Sequence, residues 1–453
     1  MRTRDCLIFF PALALALAIT SSSARAQEPS YQPAAPMQQW LTETTQQGSV
    51  APGTTIDAGN WQQYKQYIPY GLQTILSGAG FWKAPAGFQM TVGPTKILPL
   101  PKGYVEASEQ YGSQTSVGTT ATGHHYVNNY VAGEPFPTPQ EPDKGYKLLA
   151  DVWFSYVPSL YAQQFDHPGV SCTQDRFGNI ACTTIAWIYR QVGFNTDPGV
   201  PRNLPQAGDT WFTEWFMVET PEQSRYTTNL TLFHKNPEQP EDDYVFVPAL
   251  RRSLRLSVNA RCAPAAGSDF VLDDYKTVGF NGGLALFNSK FLGHRKVLDL
   301  LDDYTTETGK FPEDYMMPLG FPKPSWGKWQ LRDVDIIDVR RIPSESAGYC
   351  YGSRIMYVDS HFHYGIWVDI YDANLKLWKV FWNAPRAVEV PQVGHVTTNS
   401  TTGSVWDVQN EHMTMVSTVD PQGVGPKFNQ DAPAEYHDFT KYCTPSGLMQ
   451  ILR

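Results

Sequence analysis

From about Lys144 onward the chain is a succession of short runs in which apolar and polar residues alternate. Strand candidates are Ile180–Val192, Trp211–Glu219, Arg225–His234, Asp243–Leu250, Arg251–Val258, Ser353–Asp359, Ile366–Tyr371 and Leu377–Trp382. Successive side chains of an extended chain point to opposite faces, so Ile355 and Tyr357 should share one face and Met356 and Val358 the other. Turn signals separate the runs, among them Asn236-Pro237, Gln239-Pro240 and Asp372-Ala373-Asn374. Strands spaced this closely leave no room for the long crossovers of parallel pairing, and the pattern predicts an antiparallel meander. Lys290–Thr308 reads differently, as an inserted helical stretch. Strand number and order stay open.

Upstream the pattern changes character. A basic start, the apolar run Leu7–Ile19 and the small residues of Ala24-Arg25-Ala26 make up a secretory signal peptide, with cleavage expected after Ala26. The run is shorter than the roughly 20 residues that span a bilayer. From Gln27 to about Thr55 the chain is rich in Gln, Ser, Thr, Pro and Ala and is expected to be extended. Asp57–Leu76 places Trp61, Tyr64, Ile68 and Leu72 at helical spacing, with Pro69 positioned to kink or end the helix. Tyr104–Tyr126, polar with Gly and Thr throughout, reads as loop. The expected division is a signal peptide at 1–26, an N-terminal extension with one helix at 27–140, and a β domain with a C-terminal tail at 141–453.

Composition narrows the function classes. Aromatic residues make up 13% of the chain and charged residues 17%, which suits a sheet-rich, mainly β (α+β) fold with a large apolar interior. The formal charge is −9, and removing 1–26 takes three Arg and one Asp, leaving −11. An acidic chain without a basic block is a poor partner for nucleic acid or an anionic membrane surface. Five cysteines follow the signal segment: Cys172, Cys182, Cys262, Cys350 and Cys443. In an oxidising compartment pairing is the default. Cys172 and Cys182 flank a Gly178-Asn179 turn signal, which predicts a disulfide across a hairpin. One of the other three is left over within a monomer, and nothing in the spacing says which.

Catalytic patterns are missing: there is no GxSxG elbow, HExxH, Walker loop or GxGxxG, so no catalytic residue and no cofactor is expected. The sharpest alternative is His361 and His363, which on a strand would point to one face and could hold a metal for a secreted hydrolase. A polar connection between strands explains them better, because no third ligand follows at a convincing spacing. The doublets Asp242-Asp243, Asp273-Asp274 and Asp302-Asp303 read as surface charge, since adjacent strand residues face opposite ways. Trp187, Trp211, Trp215 and Phe216 are candidates to line a ligand cavity or to fill a core.

Several segments taken together carry a resemblance. They are Asn60-Trp61, Asn129-Tyr-Val-Ala-Gly-Glu-Pro-Phe-Pro137, Asp243-Tyr-Val-Phe-Val-Pro-Ala-Leu-Arg-Arg252, Gly267-Ser-Asp-Phe270, Asp273-Asp-Tyr275, Gly279-Phe-Asn-Gly282, Tyr351-Gly-Ser-Arg-Ile-Met-Tyr-Val-Asp359 and Leu377-Trp378. In this order the chain resembles a family of periplasmic proteins known as domain of unknown function 1329, similar to the carriers of outer-membrane lipoprotein sorting. The resemblance implies a half-open antiparallel β-barrel wrapped on a helical plug. It also implies a periplasmic carrier of a lipid, lipoprotein acyl chain or other hydrophobic compound. Such a carrier would stand between a resistance-nodulation-division type exporter and the outer membrane. Arg251, Arg252 and Arg255 could then meet an anionic head group, although surface charge or pairing with Asp273 and Asp274 explains them as well. A non-catalytic envelope scaffold is the third reading. The Ser360-His-Phe-His363 turn and the five cysteines depart from the family's usual pattern.

Overall fold

The computed structural model describes residues 33, 35–43, 48–78, 84–85, 87–120, 123–236, 239–257, 261–265, 267–277, 279–302 and 309–451. The segment read as a signal peptide, 1–26, lies outside them. The alternating runs assemble one antiparallel sheet of 15 strands. One meander runs from Gly169–Asp175 through Ile180–Gln191, Thr210–Thr220, Thr228–His234 and Asp242–Val247 to Arg252–Arg255. A second runs from Phe287–Asp299 through Gln330–Arg341, Ser353–Asp359, Gly365–Tyr371, Leu377–Val390 and Gly394–Asp407 to His412–Ser417. Pairing of His412–Ser417 with Gly169–Asp175 joins the two, with Val416 opposite Ser171. Leu160–Ala162 and Lys427–Phe428 attach beside Ile180–Gln191. Among the described residues no pairing joins Arg252–Arg255 to Phe287–Asp299, so the sheet is open, in the manner of a half-barrel.

Both faces of the sheet are covered, which is why its strands are buried so continuously. In Ser353–Asp359, Ile355 and Tyr357 enter one core while Met356 and Val358 enter the other, as the alternation predicts. The inner face carries the helix Lys144–Trp153, whose Leu148, Leu149 and Val152 pack with Met356, Val368 and Phe381. This helix is the plug. It sits flush on the sheet at Gly145, where a Cβ would come within 2.4 Å of the Phe291 backbone nitrogen. The outer face receives the N-terminal segments over the second meander and the C-terminal helices Phe439–Cys443 and Pro445–Leu448 over the first.

The Asp57–Leu76 expectation holds in detail. A 3-10 helix, Trp61–Tyr67, stops before Pro69 and an α-helix, Tyr70–Leu76, follows it. Three expectations need correction. The extension carries three α-helices instead of one, because Ala35–Glu43 and Lys102–Tyr111 are also helical. Among the described side chains of Ala35–Glu43, Met37 and Trp40 are buried, and Lys102–Tyr111 buries Tyr104, Ala107 and Ser108, positions too few or too small to register as an apolar stripe. The stretch Tyr104–Tyr126, expected as loop, completes the helix Lys102–Tyr111 and then enters two paired strands, Ser116–Thr119 and His125–Asn128. Lys290–Thr308 is no helix in its described part: Phe287–Asp299 is a strand paired along its length with Gln330–Arg341. A bulge between Phe291 and Gly293 shifts the alternation by one, hiding the period of two. Residues 303–308 lie outside the described set.

Cys172 and Cys182 stand directly opposite each other on adjacent strands and are disulfide-bonded, as expected. Cys262 pairs with Cys350, and Cys443 is left as a buried free thiol. Among the described residues no helix is long and apolar enough to cross a membrane.

Candidate functional site

On the inner face, Ile180–Gln191 presents Ile185, Trp187 and Tyr189, the odd-numbered positions of the strand. Neighbouring strands add Phe216 and Val218 on one side and Val416 on the other. These side chains surround a cavity of about 260 Å³. Its roof is the loop that supplies Ala265, Gly267, Ser268, Phe270, Tyr275 and Lys276. Ser171, Thr173, Thr183 and Thr418 add hydroxyl groups to a lining otherwise aromatic and aliphatic. Apolar concavities with a few convergent polar groups are the usual form of a small-molecule site.

The roof is fastened by buried charge. Asp273 and Asp274 are fully buried, so the surface-charge reading of this doublet is corrected. Asp273 meets Arg261 and Arg354, the latter at 2.6 Å, and accepts a hydrogen bond from Tyr349. Arg354 Nε also donates to the Gly279 carbonyl at 2.8 Å. Burial pushes the Asp273 carboxyl upward, but Arg261 and Arg354 outweigh it and hold the group at about 2. Asp274 accepts from Tyr351 at 2.8 Å and from the Val271 amide at 2.9 Å. Burial raises the Asp274 carboxyl above its ordinary value. Asp269 caps the other end of the loop, bonded to His412 Nδ1 and Thr414 Oγ1 at 2.7 Å each. The Cys262–Cys350 disulfide ties the approach to the loop to the same strand end. Of the other doublets, Asp243 is also buried, hydrogen-bonded to Thr231 at 2.7 Å.

Lys276, at the end of the roof loop, also lines the cavity. Its ammonium donates to the Trp153 carbonyl and lies 4.6 Å from the centre of the Trp153 ring. Burial drives its value down to about 7. Glu214, nearby and hydrogen-bonded to Asn281 at 3.0 Å, is driven up to about 7 by the same desolvation.

The seven candidate ligand-binding residues separate cleanly. Trp187 and Phe216 line the cavity and are direct cross-strand partners. Trp215, one residue before Phe216, points to the outer face, where its ring lies 5.2 Å from that of Tyr442. Trp211 sits in a bulge between Thr210 and Phe212 and lines a second hollow of about 270 Å³ with Trp153, Phe194 and Phe233. Arg251, Arg252 and Arg255 sit exposed at the turn between Asp242–Val247 and Arg252–Arg255. None of the three lines the cavity or pairs with Asp273 or Asp274, and Arg255 meets Asp242 instead. His361 and His363 do not converge either. His361 Nε2 bonds the Leu98 carbonyl at 3.1 Å, whereas His363 Nδ1 meets Glu134 at 2.6 Å. The two lie in a turn with His363 at φ 46°, so strand alternation does not apply to them.

Sequence reasoning missed Tyr189, Phe270, Tyr275 and Lys276. Tyr189 follows from Trp187 by the period of two. Phe270 and Tyr275 were visible as parts of the Gly267–Phe270 and Asp273–Tyr275 segments, Lys276 was not singled out at all, and only the fold brings that loop over the sheet.

A family model described as "Protein of unknown function (DUF1329)" matches residues 55–448. No curated protein matches the chain. Among solved structures, an outer membrane lipoprotein-sorting protein domain from Vibrio parahaemolyticus is 14% identical with a TM-score of 0.45, covering 68% of this chain and 98% of that one. A DUF1329 family protein from Desulfovibrio piger is 14% identical with a TM-score of 0.44, covering 67% of this chain and 100% of that one. A LolA superfamily protein from Nitrosomonas europaea is 10% identical with a TM-score of 0.34, covering 62% and 90% respectively.

Proposed function

The chain belongs to the DUF1329 family, and we propose that this member is a periplasmic carrier that shelters a lipid, a lipoprotein acyl chain or another hydrophobic compound in the cavity beneath the Ala265–Lys276 loop. The observation that carries this reading is the cavity itself: aromatic and aliphatic walls built by strand alternation and roofed by a loop held by buried ion pairs. Each methylene transferred from water into such a space contributes about 0.8 kcal/mol. The volume, about 260 Å³, lies just under the roughly 300–1,000 Å³ of drug-sized ligand pockets. One chain or one compact apolar molecule suits it better than a branched lipid with several chains. The hydroxyls of Thr173, Thr183 and Thr418 would orient a polar end. Handing cargo from an inner-membrane exporter of the resistance-nodulation-division type towards the outer membrane is the setting this role implies.

Delipidated protein titrated with a fluorescent fatty acid tests the proposal. Saturable binding by the wild type is expected, with at least a tenfold loss in Val416→Trp, which fills the cavity from its half-buried wall. A melting temperature close to that of the wild type would show that the variant is folded. Absence of binding by the wild type, or undiminished binding by folded Val416→Trp, would remove the carrier reading.

A further inference from the structure

We propose that Glu134, Asp151 and His363, none of which lines the cavity, form a site for one divalent transition-metal ion, Zn²⁺ by ligand type. The three side chains come from separate parts of the chain. Glu134 lies in the Asn129–Pro137 segment, Asp151 on the plug helix Lys144–Trp153, and His363 in the turn between the strands Ser353–Asp359 and Gly365–Tyr371. One ligand atom of each lies within 4.8 Å of the others. His363 Nδ1 is 2.6 Å from Glu134 Oε1 and 3.8 Å from Asp151 Oδ2.

Asp151 is the observation that singles this cluster out. Its side chain is wholly buried. Oδ1 accepts from the Phe136 amide at 2.8 Å, whereas Oδ2, turned towards the imidazole, has no hydrogen-bond partner. A buried carboxylate oxygen without a donor is costly, and native proteins rarely leave one in place. Two carboxylates and one imidazole thus meet in one buried space, with a carboxylate oxygen that no donor serves. A protonated His363 supplies one charge, and its short contact is to Glu134, which leaves Asp151 unserved. A divalent ion would balance both carboxylates and coordinate all three groups. One imidazole and two carboxylates form a mixed nitrogen and oxygen set suited to Zn²⁺, at about 2.0–2.2 Å from each donor. Glu134 is the most accessible of the three, its side chain 13% exposed, and gives the ion a path and a place for a water ligand. Bound there, the ion would clasp the plug helix and the preceding segment to the sheet.

Tag-free protein, stripped with a chelator, is titrated calorimetrically with Zn²⁺, and the visible spectrum is recorded with Co²⁺. One equivalent of Zn²⁺ is expected, with a rise in melting temperature and an inner-sphere Co²⁺ spectrum. Glu134→Gln and Asp151→Asn should each weaken uptake at least tenfold, and His361→Ala should leave it unchanged. Melting curves of the stripped variants establish folding, and Glu134→Gln decides alone if Asp151→Asn does not fold. No uptake by the wild type would overturn the proposal, as would uptake by folded Glu134→Gln equal to the wild type's.

Discussion

Replacing Asp273 with Asn keeps the shape of the side chain and removes the charge that Arg261 and Arg354 face. Both guanidinium groups are buried: in the variant Arg261 keeps Glu241 and the Asn281 carbonyl, whereas Arg354 loses its paired carboxylate and keeps the Gly279 carbonyl. Breaking a buried pair from one side costs about 3–5 kcal/mol. The pH dependence gives a second, independent magnitude. The Asp273 carboxyl falls from 3.8 to about 2 in the folded protein, where burial acts upward and the two arginines act downward more strongly. A folded value below the unfolded one means stabilisation that is present above about pH 4 and lost as the pH drops towards 2. At about 1.4 kcal/mol per unit, this carboxyl accounts for about 2 kcal/mol of acid sensitivity. Urea unfolding at pH 7, and at intervals between pH 4 and 2, measures both. Asp273→Asn should be less stable at pH 7 by about 3 kcal/mol or more and should show a shallower acid limb. Because the same contacts hold the roof of the cavity, it should also release a bound fluorescent fatty acid faster. A variant within about 1 kcal/mol of the wild type at pH 7, with an unchanged acid limb, would refute this account of the loop.

Three further outcomes follow from single contacts. The Cys262–Cys350 bond spans 88 residues and the Cys172–Cys182 bond only 10, so chain entropy assigns losses of about 4–5 and about 3 kcal/mol to their Ser variants; urea midpoints in the reverse order would contradict this. Trp187→Ala should weaken fatty-acid binding with a modest stability cost, whereas Trp215→Ala, buried against Tyr442 on the outer face, should lose about 3–5 kcal/mol and bind normally once folded. Cys443 is buried with its thiol raised by desolvation, so maleimide labelling of the native protein should wait for unfolding; rapid labelling would mean that the C-terminal helices lift off the sheet.

Strand positions were legible for part of the sheet only: Gln330–Arg341, buried on both faces, was not among the candidates, nor were Gly169–Asp175, Gly394–Asp407 and His412–Ser417. Ser353–Asp359 and Ile180–Gln191 were placed almost to the residue. One edge strand was misread outright. Phe287–Asp299 leaves much of its length half-exposed and takes a bulge at Gly293, so its polar positions mimic a helical spacing that long-range pairing then overrides. The order of the strands was not legible at all. Joining the two meanders through Gly169–Asp175 and His412–Ser417 is a contact across some 240 residues, and no local pattern encodes it.

The site shows a different kind of limit. The segments that carry the family resemblance were visible one by one, and they meet in space. Asp273-Asp274, Gly279 and the Tyr351-to-Arg354 stretch all converge on the base of the cavity roof. Read singly, an acidic doublet is surface charge and a lone arginine is solvated, because those are the usual fates of such residues. What reverses both readings is mutual burial. Asp273 is tolerable in the interior because Arg261 and Arg354 are there, Arg354 because of Asp273, and Arg261 because Asp273 and Glu241 both face it. This dependence also explains why Arg251, Arg252 and Arg255 were attractive and wrong partners. They lie nearer to the doublet in sequence than Arg354 does, but the turn that carries them faces water, where a cation needs no partner and contributes little. A loop fixed by charges that cannot be solvated where they stand has two stable options, closed with every pair made or opened far enough to hydrate them all. Entry of a ligand beneath it is therefore expected to be a slow, concerted opening. A binding rate for the fluorescent fatty acid that saturates with its concentration in stopped-flow mixing would be the signature. A rate rising linearly to the highest concentration tested would mean that the cavity is reached without moving the loop.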